Sequence, residues 1–242
     1  VNYSQLTPAT KDLLGIPLHL DLFARALDSN DIGFEKLRGI SSLQELYALI
    51  WQNVIVRSEI GSPPISDRID VINRLTGFMD SRQRTSAPQS VLQTSETRHL
   101  ERAVNWLAST GILIRGKTDW NFIHQTFFDY CYARRFVEQG NNIFETLLAS
   151  KQGVFERPKL IQIISYLRTY DHPQYLRDLQ NLLFSNVLRF HLYDLLLNWF
   201  GGLQNPKTDE WNLALKILGD DQKFSRLLIA MYGNPEWFKY LT

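Results

Sequence analysis

Apolar residues recur at helical spacing along most of this chain, and the breaks between the stripes are chemically marked. Thr7-Pro8 reads as a helix start, an N-cap followed by proline at the first position. Gly15-Ile16-Pro17 must interrupt that helix, because glycine is a weak helix former and proline has no N–H to donate. From Pro17 a new stripe runs through Leu18, Leu20, Leu22, Phe23, Ala26 and Leu27, and a polar loop with Gly33 and Gly39 follows. Ser42-Leu43-Gln44-Glu45 predicts a capping box for a helix that buries Leu46, Tyr47, Leu49, Ile50 and Val54. Ser58 to Ser66, with Pro63-Pro64, reads as a linker. A shorter helix (Ile69, Val71, Ile72, Leu75, Phe78) comes next, and Ser81 to Ser90 is a second polar break.

The period then changes. Glu96 to Ser109 is helical and ends at Thr110-Gly111. Ile112-Leu113-Ile114 and Trp120-Asn121-Phe122-Ile123 are short β-type runs around a turn from Arg115 to Asp119, and His124 to Glu138 returns to helix. Successive helices followed by a small hairpin make the winged-helix plan. In the last third, His172-Pro173, Asn205-Pro206 and Asn234-Pro235 each pair a capping residue with a proline taken as the next helix's first position, with the prolines 33 and then 29 positions apart. Turns at Tyr170-Asp171, Gly201-Gly202 and Tyr232-Gly233 precede them. Helix pairs at that period are the signature of a HEAT-like α-solenoid; an irregular helical bundle is the alternative. The chain is therefore expected to be mainly α, with residues 1–40 a small helical segment, 41–140 a winged-helix-type domain with a β-hairpin wing, and 141–242 helical repeats.

Composition narrows the function classes. The 242 residues are 44% hydrophobic and 21% charged, an ordinary core-forming mixture that excludes a disordered tail. The net charge of +1 predicts neither nucleic acid nor an anionic membrane as a partner, and no apolar run approaches the roughly 18 residues of a membrane-spanning helix. A cytoplasmic protein is expected. Cys131 is the only cysteine, so an internal disulfide and cysteine-based zinc sites are excluded, and a buried thiol is expected there. The five histidines are scattered; His191 and Asp194 share a helix face, but a solvated pair is the simpler reading than two ligands of a metal site. The six tryptophans sit in apolar stripes and are expected to fill the core.

Gly111-Ile-Leu-Ile-Arg-Gly116-Lys117-Thr118 fits the phosphate-binding pattern G-x-x-x-x-G-K-[ST]. A working loop of that kind follows a strand and opens a helix, so that free N–H groups meet phosphate. Here a helix precedes it and a β-type run follows, so a hairpin carrying Lys117 on its turn is expected. No residue set for catalysis is present.

Two segments together resemble one family. Gly15-Ile16-Pro17-Leu18-His19-Leu20 is similar to the G-x-P-L-x-L motif in the helical domain of STAND NTPases. Phe122-Ile123-His124-Gln125-Thr126-Phe127-Phe128-Asp129-Tyr130, continuing to Ala133-Arg134-Arg135, resembles the winged-helix signature F-x-H-x-[ST]-F-x-E-[YF]-x-x-A of the NACHT class, with Asp129 where glutamate is usual. The resemblance implies a regulatory and sensor portion whose nucleotide-binding domain lies outside this sequence. In the family the motif proline packs near the nucleotide base and the motif histidine reaches the β-phosphate of ADP. Gly15 and Pro17 would then wall the base, and His124 would touch the diphosphate. ADP or ATP would be held only jointly with that missing domain, the segment itself would not hydrolyse ATP, and the repeats would meet a protein trigger or oligomer partner. A role in prokaryotic antiviral defence or signalling is what the resemblance suggests.

The residues alone leave alternatives open. His124 could simply cap the helix after the wing while Phe127, Phe128 and Tyr130 fill the core. A DNA-binding winged-helix regulator is the competing function: Arg98, His99 and Arg102 precede the wing and Arg115 and Lys117 lie on it, but Glu96, Glu101 and Asp119 are interleaved with them.

Overall fold

A computed structural model describes residues 3–27, 40, 42–153 and 156–240, and the polar loop with Gly33 and Gly39 lies outside them. These residues are mainly helical, with one small antiparallel sheet. Contacts divide the chain into two compact units, Val1–Tyr132 and Ala133–Thr242.

In the first unit, α1 (Pro8–Leu14) starts on the Thr7 side chain, which accepts the Thr10 N–H. It stops at Gly15, and α2 (Pro17–Leu27) begins after one intervening residue. The break is held by His19. Its buried ring donates from Nδ1 to the Leu13 carbonyl at 2.9 Å, satisfying an acceptor that the end of α1 leaves open. α2 packs on α3 (Leu43–Ile50), capped by Ser42 through the Glu45 N–H; one π-helical turn, Trp51–Ile55, continues it.

The next helix, α4 (Ile65–Arg82), has 18 residues and is longer than the pattern suggested at both ends. It begins directly after Pro64, whose fixed geometry suits the residue before a helix, and runs into the polar stretch that read as a break. What holds its start is Arg68. The side chain is fully buried, donates to the carbonyls of Val54 (3.4 Å) and Arg57 (2.9 Å), and lies 4.6 Å from the Trp106 ring. Burial lowers its pKa from the usual guanidinium value, against the pull of Glu59.

The remainder of the presumed break contains a strand too short to show alternation, β1 (Ala87–Pro88). Two 3-10 turns and α5 (Glu101–Ser109) follow. Gly111 ends α5 with φ 73°, a left-handed position that glycine takes without steric cost, and the Ile112 N–H reaches back to the Leu107 carbonyl. Then β2 (Leu113–Arg115) pairs with β3 (Asp119–Phe122), and β3 pairs with β1, giving the order β1–β3–β2. Along β3, Trp120 and Phe122 are buried and Asp119 and Asn121 are half-buried, the period of a sheet with one face on the core. Gly111–Thr118 is therefore part of a hairpin, with Lys117 exposed on its turn. The backbone of Leu113–Arg115 is engaged in the ladder and the Gly116 N–H closes the turn onto the Asp119 carbonyl. α6 (Gln125–Glu138) comes next.

The second unit is a succession of helices: α7 (Ile143–Ala149), α8 (Glu156–Tyr170), α9 (His172–Phe184), α10 (Phe190–Gly201), α11 (Thr208–Leu218), α12 (Asp221–Met231) and a 3-10 segment, Pro235–Tyr240. Each helix touches the element two places along: α7 with α9, α8 with α10, α9 with α11, α10 with α12, and α11 with the 3-10 segment. Two of the three proline junctions differ in detail from the sequence expectation. Asp171, not His172, caps α9 by accepting the Gln174 N–H, and Pro173 falls at the second helical position. Pro206 lies two residues ahead of α11, after Asn205 in a left-handed conformation. Only Asn234-Pro235 opens its element as read, with the Asn234 side chain accepting the Glu236 N–H.

Within α9, Asp178 is 2% exposed, and its carboxylate accepts from Gln174 Nε2 at 2.9 Å. Burial raises its pKa above the usual carboxylate value, opposed by Gln174 and Arg177. A group whose folded pKa is raised favours folding in its protonated form, so this site becomes a liability as pH rises through and above the unfolded value. Asp178→Asn is expected to raise the thermal midpoint modestly at neutral pH and to leave it unchanged in acid. Thermal melts at pH 7 and pH 3 check both halves.

Candidate functional site

The site begins where the hairpin hands over to α6. Ile123 donates its N–H to the Ile112 carbonyl, which continues the sheet by one residue and fixes the chain direction into His124. His124 is the residue before the helix, and its carbonyl accepts the N–H groups of Phe127 and Phe128. Its ring takes the role usually played by a serine or aspartate at a helix start: Nδ1 accepts the Thr126 N–H at 3.3 Å and lies 2.8 Å from Thr126 Oγ1. The structure has the arrangement expected of a helix cap. His124 caps the helix and remains exposed, while Phe127 and Tyr130 are fully buried and Phe128 is nearly so.

The core beneath holds this geometry. Tyr47 of α3 stands edge-on to Phe127 at 5.2 Å between centroids, and Phe127 stacks on Tyr130. Phe122 of β3 meets Phe127 edge-on, so strand, helix start and α3 share one aromatic cluster. The Tyr47 hydroxyl hydrogen-bonds Thr126 Oγ1. Burial pushes the Tyr47 phenol up to about 12 despite that bond.

Above the core, His124 lines a cleft of about 140 Å³ with Thr85, Asn121, Phe122, Gln125 and Phe128. The first turn of α6 carries no acidic residue, so the helix N-terminus is electropositive. Asp129 is a turn further on, 9% exposed, and accepts from Gln125 Nε2 at 3.3 Å. A ring that accepts from the backbone at Nδ1 has Nε2 as its donor position. Such an arrangement can offer an N–H to an anion at a helix start.

Comparison with protein-family models, curated proteins and solved structures gives no match.

The other residues singled out from the sequence lie elsewhere. Gly15 and Pro17 are exposed and do not line the His124 cleft. Gly15 has ordinary helical dihedrals, so the bend there depends on Pro17 and the His19 bond rather than on glycine's conformational range. Of the basic set, Arg98 and Arg115 line a second cleft of about 220 Å³ between the α5 region and the hairpin. Glu101 lines it too, Arg115 stacks over Trp120, and Arg102 donates to the Gly61 carbonyl. The opposing charge and these internal contacts weaken that surface as a phosphate-backbone track.

Cys131 is buried, as are Trp51, Trp120 and Trp237, whereas Trp106, Trp199 and Trp211 are half-buried. His191 and Asp194 are not the solvated pair expected. His191 Nε2 is buried with no hydrogen-bond partner among the described residues, and Asp194 accepts from Asn198. Among the described residues no three His, Cys, Asp or Glu side chains group to hold a metal, and no helix is long and apolar enough to cross a membrane. Sequence reasoning passed over Thr126 and Tyr47 as site residues. The Thr position was visible within the Phe122–Tyr130 segment, while Tyr47 carried no signal beyond its place in an apolar stripe.

Proposed function

We propose that this chain is the regulatory and sensor portion of a cytoplasmic STAND NTPase of the NACHT class. Residues 1–40 would be the remnant of its helical domain, 41–140 the winged helix, and 141–242 HEAT-like repeats. The observation that carries the reading is the His124 ring: exposed, at the start of a 14-residue helix directly after a hairpin, with Nδ1 on the backbone of that helix start and Nε2 unbonded among the described residues. That is the donor geometry needed to meet the phosphate of a nucleotide whose remaining contacts come from a domain outside this sequence. Two features of the fold support the wider plan. The element order α4, β1, α5, β2, β3 with strand order β1–β3–β2 is the arrangement expected of a winged helix. The contact of each helix with the element two places along is what stacked helix pairs produce.

In this account ADP bridges the NTPase domain and the winged helix in the resting state. The ligand can hold that state only through its greater affinity for it. A protein trigger binding the repeats would shift the balance, and the output would be assembly and signalling, in defence against viruses if the protein is prokaryotic. ATP and ADP belong to the joined domains rather than to this chain alone.

The test uses the longer polypeptide that includes the nucleotide domain. It is expected to purify with bound ADP, and His124→Ala is expected to weaken that binding roughly 10- to 100-fold, the worth of one hydrogen bond to a charged group. Nucleotide content of the purified protein, measured by chromatography after denaturation, reads the outcome. Wild-type retention in the variant would remove His124 from the site.

A further inference from the structure

We infer that Thr126 and Tyr47 are positioning residues that fix the tautomer and orientation of the His124 ring; the inference rests on the reading of His124 as the anion-facing donor. Three bonds meet at or near Nδ1, and they are satisfied together when the Thr126 N–H and O–H share the single lone pair of that nitrogen. The Thr126 backbone N–H can only donate, so Nδ1 must accept and cannot carry a proton. Thr126 Oγ1, 2.8 Å away, must then direct its own hydrogen to Nδ1. With that hydrogen committed, the oxygen is left as an acceptor, and the Tyr47 hydroxyl is the donor to it. The chain runs Tyr47 O–H to Thr126 Oγ1, Thr126 O–H to His124 Nδ1, and ends in an N–H at Nε2. That N–H has no hydrogen-bond partner among the described residues.

The environment makes this order rigid. Tyr47 is fully buried, so Thr126 replaces the water its hydroxyl would otherwise bond. Its ring is wedged against Phe127 and Tyr130, which set the register of α6, so Thr126 cannot turn away without leaving a buried phenol unpaired. The outcome is a direct mechanical and electrical link from the α3 core to the ring at the surface. A change in how α3 packs would be felt at Nε2 as a loss of alignment, which gives the site a route by which domain movement and anion binding influence each other.

The experiment is side-chain nitrogen NMR of the full 242-residue chain, resolving the two ring nitrogens of His124. Wild type is expected to show a protonated Nε2 and an Nδ1 signal displaced toward that of a hydrogen-bonded acceptor. Thr126→Val, which removes the hydroxyl and keeps the shape, is expected to lose that displacement, and Thr126→Ser to restore it. Tyr47→Phe is expected to give an intermediate displacement while the backbone amide spectrum keeps its native dispersion. A proton on Nδ1 in wild type, or an Nδ1 signal unmoved by Thr126→Val, overturns the inference. These readouts need no nucleotide. Adding inorganic pyrophosphate to the same samples separates the two ideas: tautomer control intact in a ring that ignores pyrophosphate sustains the positioning roles and counts against an anion site complete within this chain.

Discussion

Arg168→Ala is expected to destabilise the second unit by about 3–5 kcal/mol, the usual result of removing one partner from a buried ion pair. Glu210 on α11 is fully buried, and its carboxylate is held by Arg168 of α8 through Nε at 2.6 Å and Nη2 at 3.0 Å. The same Nη2 reaches the Asn205 carbonyl at 3.0 Å, so one guanidinium ties α8 to both the start of α11 and the turn before it. Glu210 in turn accepts the Lys207 N–H at 2.7 Å and closes the first turn of its own helix. Without Arg168 the charge remains buried with the Lys207 amide and the Tyr175 hydroxyl beside it and no cation to balance it. The thermal midpoint should fall by roughly 10–20 °C for a unit of this size. Arg168→Met combined with Glu210→Met should recover most of the loss, because the desolvation of both charges is then removed as well. Urea titrations of wild type, single and double variants check it; a single variant within about 0.5 kcal/mol of wild type would show the pair to be idle.

Gly201→Ala is the second large effect, expected to lower stability by about 2–3 kcal/mol through overpacking. Gly201 is the last residue of α10. A Cβ placed on it would lie 2.5 Å from the backbone carbon of Ala230 and 2.7 Å from the Ala230 Cβ. Backbone cannot swing aside as a long side chain can, so α10 and α12 would have to separate. The Gly201 carbonyl also accepts from Trp237 Nε1 and Asn234 Nδ2, both at 2.8 Å, so separation would loosen the closing 3-10 segment. Gly202→Ala provides the contrast, since its Cβ would come no nearer than 3.2 Å, to a carbonyl of its own helix. Tryptophan fluorescence during urea unfolding reads the difference; equal stability of the two variants would mean that the close crossing is not needed.

These residues show where the sequence was legible. Periodicity located most helices of the first unit, because an apolar stripe is a local property of the chain, whereas α7 went unread. The G-x-P break and the hairpin were equally local: proline forbids one geometry, and β-branched residues around a polar turn favour another. Gly201 read as a turn because glycine usually ends a helix, whereas its purpose is set by Ala230, 29 positions away. The long α4 was missed at its start because Arg68 looks like a surface residue until the carbonyls of Val54 and Arg57 are placed around it. β1 was invisible, since two residues have no period and Ala87 is buried where it pairs opposite Trp120, far along the chain. At the site, the motif pointed to His124, and helix logic pointed to it as a cap. Neither could say which nitrogen is free, because that follows from Thr126 and from a tyrosine 79 positions earlier.

The most direct measurement is the distance from His124 Nε2 to the nearest phosphate oxygen in a structure of the longer protein with ADP bound. A direct N–H to phosphate bond predicts about 2.7–3.2 Å, with Thr126 still against Nδ1. A ring turned away from the nucleotide, or one facing bulk water while ADP is held elsewhere, contradicts it.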